Sequence, residues 1–165
     1  MSHLIDAKSL IARLSDPDLR VIDARFELTQ PEAGRAAYLE GHVPGAVYFD
    51  LDQDLSSPVQ QHGGRHPLPD MRWFAATLEE RGIGDRHEVV VVDQSGTMYA
   101  ARAWWLLRYA GHEAVRFLDG GMEAYRAAGG PVTAALPEHP PATFTLRLRE
   151  DMVVDVADVR AHLGD

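Results

Sequence analysis

The sequence predicts an α/β fold, a parallel sheet flanked by helices on both faces, and three observations carry that expectation. Strand-like apolar runs alternate with helix-period segments through the middle of the chain, as successive strand–helix–strand crossovers require. One of those runs, Val89–Val92, is apolar at every position, which suits a strand covered on both faces. With 165 residues and 45% hydrophobic content, the chain can form one ordinary domain that buries roughly two-thirds of its unfolded surface.

The elements come in a clear order. Ile5, Leu10, Ile11 and Leu14 are spaced as one face of a short helix, ended by Ser15, Asp16 and Pro17. Leu19–Ala24 reads as the first strand, and a polar, helix-prone segment from Pro31 to Glu40 leads to a second short strand, Ala46–Phe49. The Gly/Pro/Ser-rich stretch from Asp50 to Asp70 is a long loop, unusual inside a compact domain unless it is functional or packed against something. A helix over Met71–Arg81, strand Val89–Val92, helix Tyr99–Tyr109, strand Val115–Leu118 and helix Met122–Ala128 complete the alternation. Residues 1–132 therefore form the domain. Pro131, Pro137, Pro140 and Pro141 mark the next segment, 133–151, as an extended linker.

Residues Val153–Asp165 then repeat the pattern of Leu4–Asp16 at an offset of 149. Aspartates match at 6/155 and 16/165, alanines at 12/161, leucines at 14/163, and apolar residues at 4/153, 5/154, 7/156 and 10/159. Two unrelated amphipathic helices could share such spacing. An internal repeat accounts for more of it, so residues 152–165 are expected to begin a second, truncated copy of the same fold.

Charge and composition narrow the function. The formal net charge of −9, with 16 basic against 25 acidic side chains, repels phosphate backbones and anionic lipid, and no basic run offsets it. Neither nucleic acid nor membrane is expected as a partner. The chain has no cysteine, which removes disulfides, thiolate-bound zinc and thiol catalysis together. The amino terminus lacks a basic segment followed by an apolar run, and a cytoplasmic location is expected.

Chemistry in such folds gathers where a strand's carboxyl end meets a helix amino end, because free N–H groups and the helix dipole converge there. The segment Glu88–Arg108 makes that transition through Asp93, Gln94, Ser95, Gly96, Thr97 and Met98. Two further segments give the loop its context: Tyr38–Phe49, with His42-Val-Pro-Gly-Ala46, and Leu118-Asp-Gly-Gly-Met-Glu-Ala-Tyr125. Together these resemble the two signatures of the rhodanese family of sulfurtransferases, in order, from Leu4 to about Val132. The linker and restarted repeat resemble its tandem members, the thiosulfate and 3-mercaptopyruvate sulfurtransferases.

The resemblance implies a rhodanese-like α/β fold with a parallel sheet of about five strands flanked by helices on both faces, two similar domains, and an active site in the second one, between the two. It implies no cofactor and no metal. The partner it implies is a carboxyl-terminal rhodanese domain of the same protein, and the substrate a small sulfur donor. The family's loop begins with a cysteine that carries sulfane sulfur; here Asp93 stands in its place and Met98 where a cation is common. A carboxylate cannot hold a sulfane sulfur. Asp93 is therefore expected to be structural, no residue of this chain to be catalytic, and the chain alone to be inactive. His42, Arg102, Trp104 and Trp105 are the candidate domain-interface or cleft residues, although for His42 a hydrogen-bonded place in the turn before Pro44 is the better reading.

Other readings remain. Val90–Thr97 also resembles the Asp-x-Asp-Gly-Thr motif of aspartate-dependent phosphohydrolases, but Ser95 replaces the second aspartate, the motif lies deep in the chain, and no lysine comes after it. A stand-alone, inactive rhodanese-like binding module is a further alternative. Asp50–Asp54 imitates a calcium loop without its glycine and bidentate glutamate, and His62 with His66 lacks an obvious third metal ligand.

Overall fold

The computed structural model describes residues 2–96 and 98–163. The chain runs β1 (Leu4–Ile5), α1 (Ala7–Ile11), β2 (Leu19–Asp23), α2 (Glu32–Glu40), β3 (Val47–Tyr48), α3 (Met71–Glu80), β4 (Glu88–Val92), α4 (Met98–Tyr109), β5 (Val115–Leu118), α5 (Gly121–Ala127), a 3₁₀ turn (Glu150–Met152) and α6 (Val156–Ala161). The five strands form one sheet in the order β1-β5-β4-β2-β3, and every pairing is parallel. This is the predicted α/β sheet with helices on both faces.

Alternation along the strands divides the core. Ile22, Val89 and Val91 face Phe74 and Leu78 of α3 and Leu106 and Leu107 of α4. Leu19, Val21, Val90 and Val92 face Leu10 of α1 and Met122 and Tyr125 of α5. Capping sets the helix starts: Asp70 accepts from the Arg72 and Trp73 N–H groups at α3, and Asp6 from Ser9 N–H at α1. The one strand that the sequence did not predict is β1. It has two residues, Leu4 and Ile5, paired with Phe117 and Leu118, and Ile5 fits the spacing of the following helix equally well.

Two stretches without regular structure are nonetheless fastened. Arg81 makes an ion pair with Asp54 (2.6 Å), and His66 bonds Asp52 (2.9 Å), across the long 50–70 loop. The segment after Pro131 is extended, as its prolines predict, but it lies against the domain as a strap around the amino-terminal ends of the strands. Thr133 exchanges backbone bonds with His42, Thr143 O accepts from Asp85 N–H, Thr145 bonds the Asp85 carboxylate, and Phe144 is buried in the α3/α4 core. Gly84 permits that approach: a Cβ there would lie 2.5 Å from Thr143 O.

Candidate functional site

The order β1-β5-β4-β2-β3 reverses direction between β2 and β4, and in open parallel sheets the crevice outside the strand ends at such a point is where ligands sit. Asp23 pairs in register with Val92, so Asp23 and Asp93 end these adjacent strands side by side. Asp93 is buried, with 5% of its surface exposed. Its Oδ1 accepts from Gln94 N–H (2.7 Å); its Oδ2 accepts from Tyr99 N–H (2.9 Å) and Ala100 N–H (3.2 Å), in the first turn of α4. The carboxylate thus takes the free donors of the helix start for itself. Burial nevertheless holds the Asp93 carboxyl above the ordinary aspartate range. The three N–H bonds oppose that shift, and the Asp23 charge adds to it.

Asp23 and Arg25 form a buried pair, Arg25 Nη2 lying 2.7 Å from Asp23 Oδ2 and also donating to Gly41 O (2.8 Å). This pair is a site feature that sequence reasoning missed. Its signal was Asp-Ala-Arg at the end of a strand, which places both side chains on one side of an extended backbone.

The segment 118–125 sits directly on the loop. Asp93 O accepts from Met122 N–H (2.8 Å) and Gln94 O from Glu123 N–H (3.1 Å), so the start of α5 clamps the start of the loop. Gly121, at φ 59°, makes this possible, since a Cβ would lie 2.5 Å from Asp93 O. Gln94, Ser95 and Gly96 are exposed, Met98 is 63% exposed, and Thr97 lies outside the described residues.

The other expected residues lie apart from this turn. His42 is fully buried, stacked on Tyr38 at 3.9 Å, with Nδ1 at Tyr38 O (2.7 Å) and Nε2 at Ala135 O (3.1 Å). It joins the end of α2 to the strap. Arg102 donates to three carbonyls of the long loop, Leu55 (3.1 Å), His66 (3.0 Å) and Pro67 (2.9 Å), and desolvation lowers its pKa. Trp104 stacks on Phe117 under Arg108, and Trp105 stacks on Tyr109; both are partly buried. Among the described residues no group of three or more His, Asp or Glu side chains could hold a metal ion, and no helix is long and apolar enough to cross a membrane.

Comparison with known proteins places this arrangement. The rhodanese-like domain family matches residues 6–128. The chain belongs to that family. This rhodanese-like chain is 42% identical over 165 residues to a probable 3-mercaptopyruvate sulfurtransferase of Pseudomonas aeruginosa, covering 99% of this chain and 58% of the relative. It is 33% identical over 159 residues to the 3-mercaptopyruvate sulfurtransferase of Escherichia coli K12, covering 94% and 55%. Its fold superimposes on the crystal structure of SseA from Escherichia coli, a 3-mercaptopyruvate sulfotransferase of rhodanese fold. The TM-score is 0.87 at 32% identity, over 98% of this chain and 61% of that one. The chain spans little more than half the length of these relatives.

Proposed function

We propose that this rhodanese-like chain is the amino-terminal, non-catalytic half of a tandem sulfurtransferase. The intact protein would move sulfane sulfur from thiosulfate or 3-mercaptopyruvate to a thiophilic acceptor in the cytoplasm. The observation that carries the reading is Asp93. At the head of the loop where a transferring thiol would sit, this chain holds a buried carboxylate whose oxygens are bonded to three backbone N–H groups, and the chain has no cysteine. Its role in that reading is to form one wall of the cleft, with Gln94, Ser95 and Met98 exposed on the loop and the partner a second rhodanese domain of the same protein.

The restart after the strap supports a second domain. Asp155 caps α6 by accepting from Asp158 N–H, and Asp6 caps α1 by accepting from Ser9 N–H, the same relation at the 149-residue offset. Burial differs sharply between the copies. Ile5 is 4% and Leu10 0% exposed, whereas Val154 is 68% and Val159 49% exposed. Residues that are core in the first copy have no core in the second, which is the state of a helix without the sheet it would pack against.

The purified 165-residue chain is expected to transfer no sulfur from thiosulfate or 3-mercaptopyruvate to cyanide; turnover would overturn the reading. A stand-alone binding module has one observation in its favour, the strap that closes the core with Phe144. The phosphohydrolase reading needs a solvent-facing Asp93 carboxylate and a metal site, and the buried, fully bonded Asp93 suits it poorly. Magnesium-dependent phosphate release that Asp93→Asn abolishes would restore it.

A further inference from the structure

The other end of the sheet carries a conflict between hydrogen-bond donors. His87, in the turn before β4, is 1% exposed. Its Nδ1 accepts from Gly84 N–H at 2.9 Å, so in the neutral ring the proton is on Nε2. The ring is neutral at pH 7, since burial, with the Arg20 and Arg86 charges added, holds its pKa below the ordinary range. Nε2 therefore donates, yet the atom that meets it, at 3.3 Å, is Arg86 Nε, which also donates. Two N–H groups face each other, and the one carboxylate oxygen that Arg86 Nε meets among the described residues is Asp18 Oδ1, at 3.4 Å in an exposed pair.

They do so at the wall of a cavity of about 350 Å³ that lies between this turn and strap residues Pro140–Thr143, with Arg20 beneath. Arg20 is 8% exposed and bonds the carbonyl oxygens of Gly82, Pro17 and Leu19, so among the described residues its charge has no hydrogen-bonded carboxylate partner. The nearby acids are engaged or remote. Both Asp85 oxygens bond Thr145, and Asp18 meets Arg86 only at 3.4 Å with both side chains more than half exposed, a pair of little strength.

We propose that this cavity binds a small, doubly charged oxyanion, one oxygen accepting from Arg86 Nε–H and His87 Nε2–H. A shared acceptor removes the donor conflict, and the anion supplies the partner charge that Arg20 lacks and that Asp18 gives Arg86 only weakly, on a chain whose net charge is −9. Because the cavity is closed on one side by the strap, the bound anion would hold strap and turn together. The cavity opens at the amino-terminal ends of the strands, away from Asp93, so anion binding there does not depend on the sulfur-transfer reading.

The test is a titration of the ¹⁵N-labelled chain with sulfate, and separately with phosphate, against chloride at constant ionic strength, following the His87 imidazole and Arg86 Nε signals by NMR. Saturating shifts at both groups with either dianion, absent with chloride, are expected. Arg86→Gln, at an exposed position, should weaken the binding by about tenfold or more, equivalent to about 1.4 kcal/mol. Shifts that never saturate, shifts that chloride reproduces, or equal binding by Arg86→Gln would each overturn the proposal.

Discussion

Asp93 sets two opposing effects against each other at a single carboxylate. The amino end of α4 offers it three N–H donors, and burial beside Asp23 makes its charge costly; burial wins, and the folded state binds the Asp93 proton more tightly than the unfolded chain does. Stability from this group is therefore greatest at low pH and declines as pH rises from the ordinary aspartate value of 3.8 through the raised one. Asp93→Asn, which cannot ionise, is expected to gain on the parent in unfolding free energy over that window and then hold a constant difference. Urea titrations at a series of pH values read this directly, and a difference independent of pH would contradict it. Asp23 makes a sharper case. Asp23→Ala strands Arg25 in the interior and should cost roughly 3–5 kcal/mol, measurable by the same titrations. Asp93 could be found in the sequence because strand, turn and helix are contiguous there. The Asp23 contribution could not, since it depends on β2 lying beside β4, 65 residues later in the chain by the Asp23–Glu88 interval.

Among the elements, those carried by local pattern were legible and those carried by distant contacts were not. Val89–Val92 and the α3 and α4 periodicities announce themselves, because a two-face core demands apolar residues at every strand position and along one side of each helix. The two-residue β1 has no periodicity to read, and it exists only because β5 offers a free edge. The strap looks like a linker in sequence because prolines extend it; its order comes from bonds to turns at 84–85 and 110 and from one buried ring. Phe144→Ala should cost roughly 3–5 kcal/mol and expose the backbone N–H groups of 142–147 to hydrogen exchange before the sheet opens. The strap side should also be sensitive to acid. Burial lowers the pKa of both His87 and His112, and His112 lies against Phe144, so the stability they contribute is complete above the ordinary histidine value of 6.5 and is lost as pH falls through the lowered values. His112→Gln is expected to flatten that decline in a thermal-unfolding series; an unchanged slope would count against it.

At the scale of the whole molecule, a cysteine-free rhodanese-like domain is followed by a strap and an exposed terminal helix, which the tandem reading takes as the start of a second copy. Ile5, Ala7 and Leu10 are buried, whereas Val154, Val156 and Val159, at the 149-residue offset from them, stand in solvent. This chain spans 58% and 55% of the two sulfurtransferase relatives described above. The match of aspartates and apolar residues at one constant offset could be read from the sequence; that its apolar positions near the carboxyl end stand in solvent emerged only from the structure. The most direct measurement is the mass of the native polypeptide in its source cells, detected with an antibody raised against this chain. A species of about twice 18.2 kDa is expected, with the transferring cysteine in the second half. A species at 18.2 kDa would contradict the tandem account and leave a cysteine-free domain acting alone.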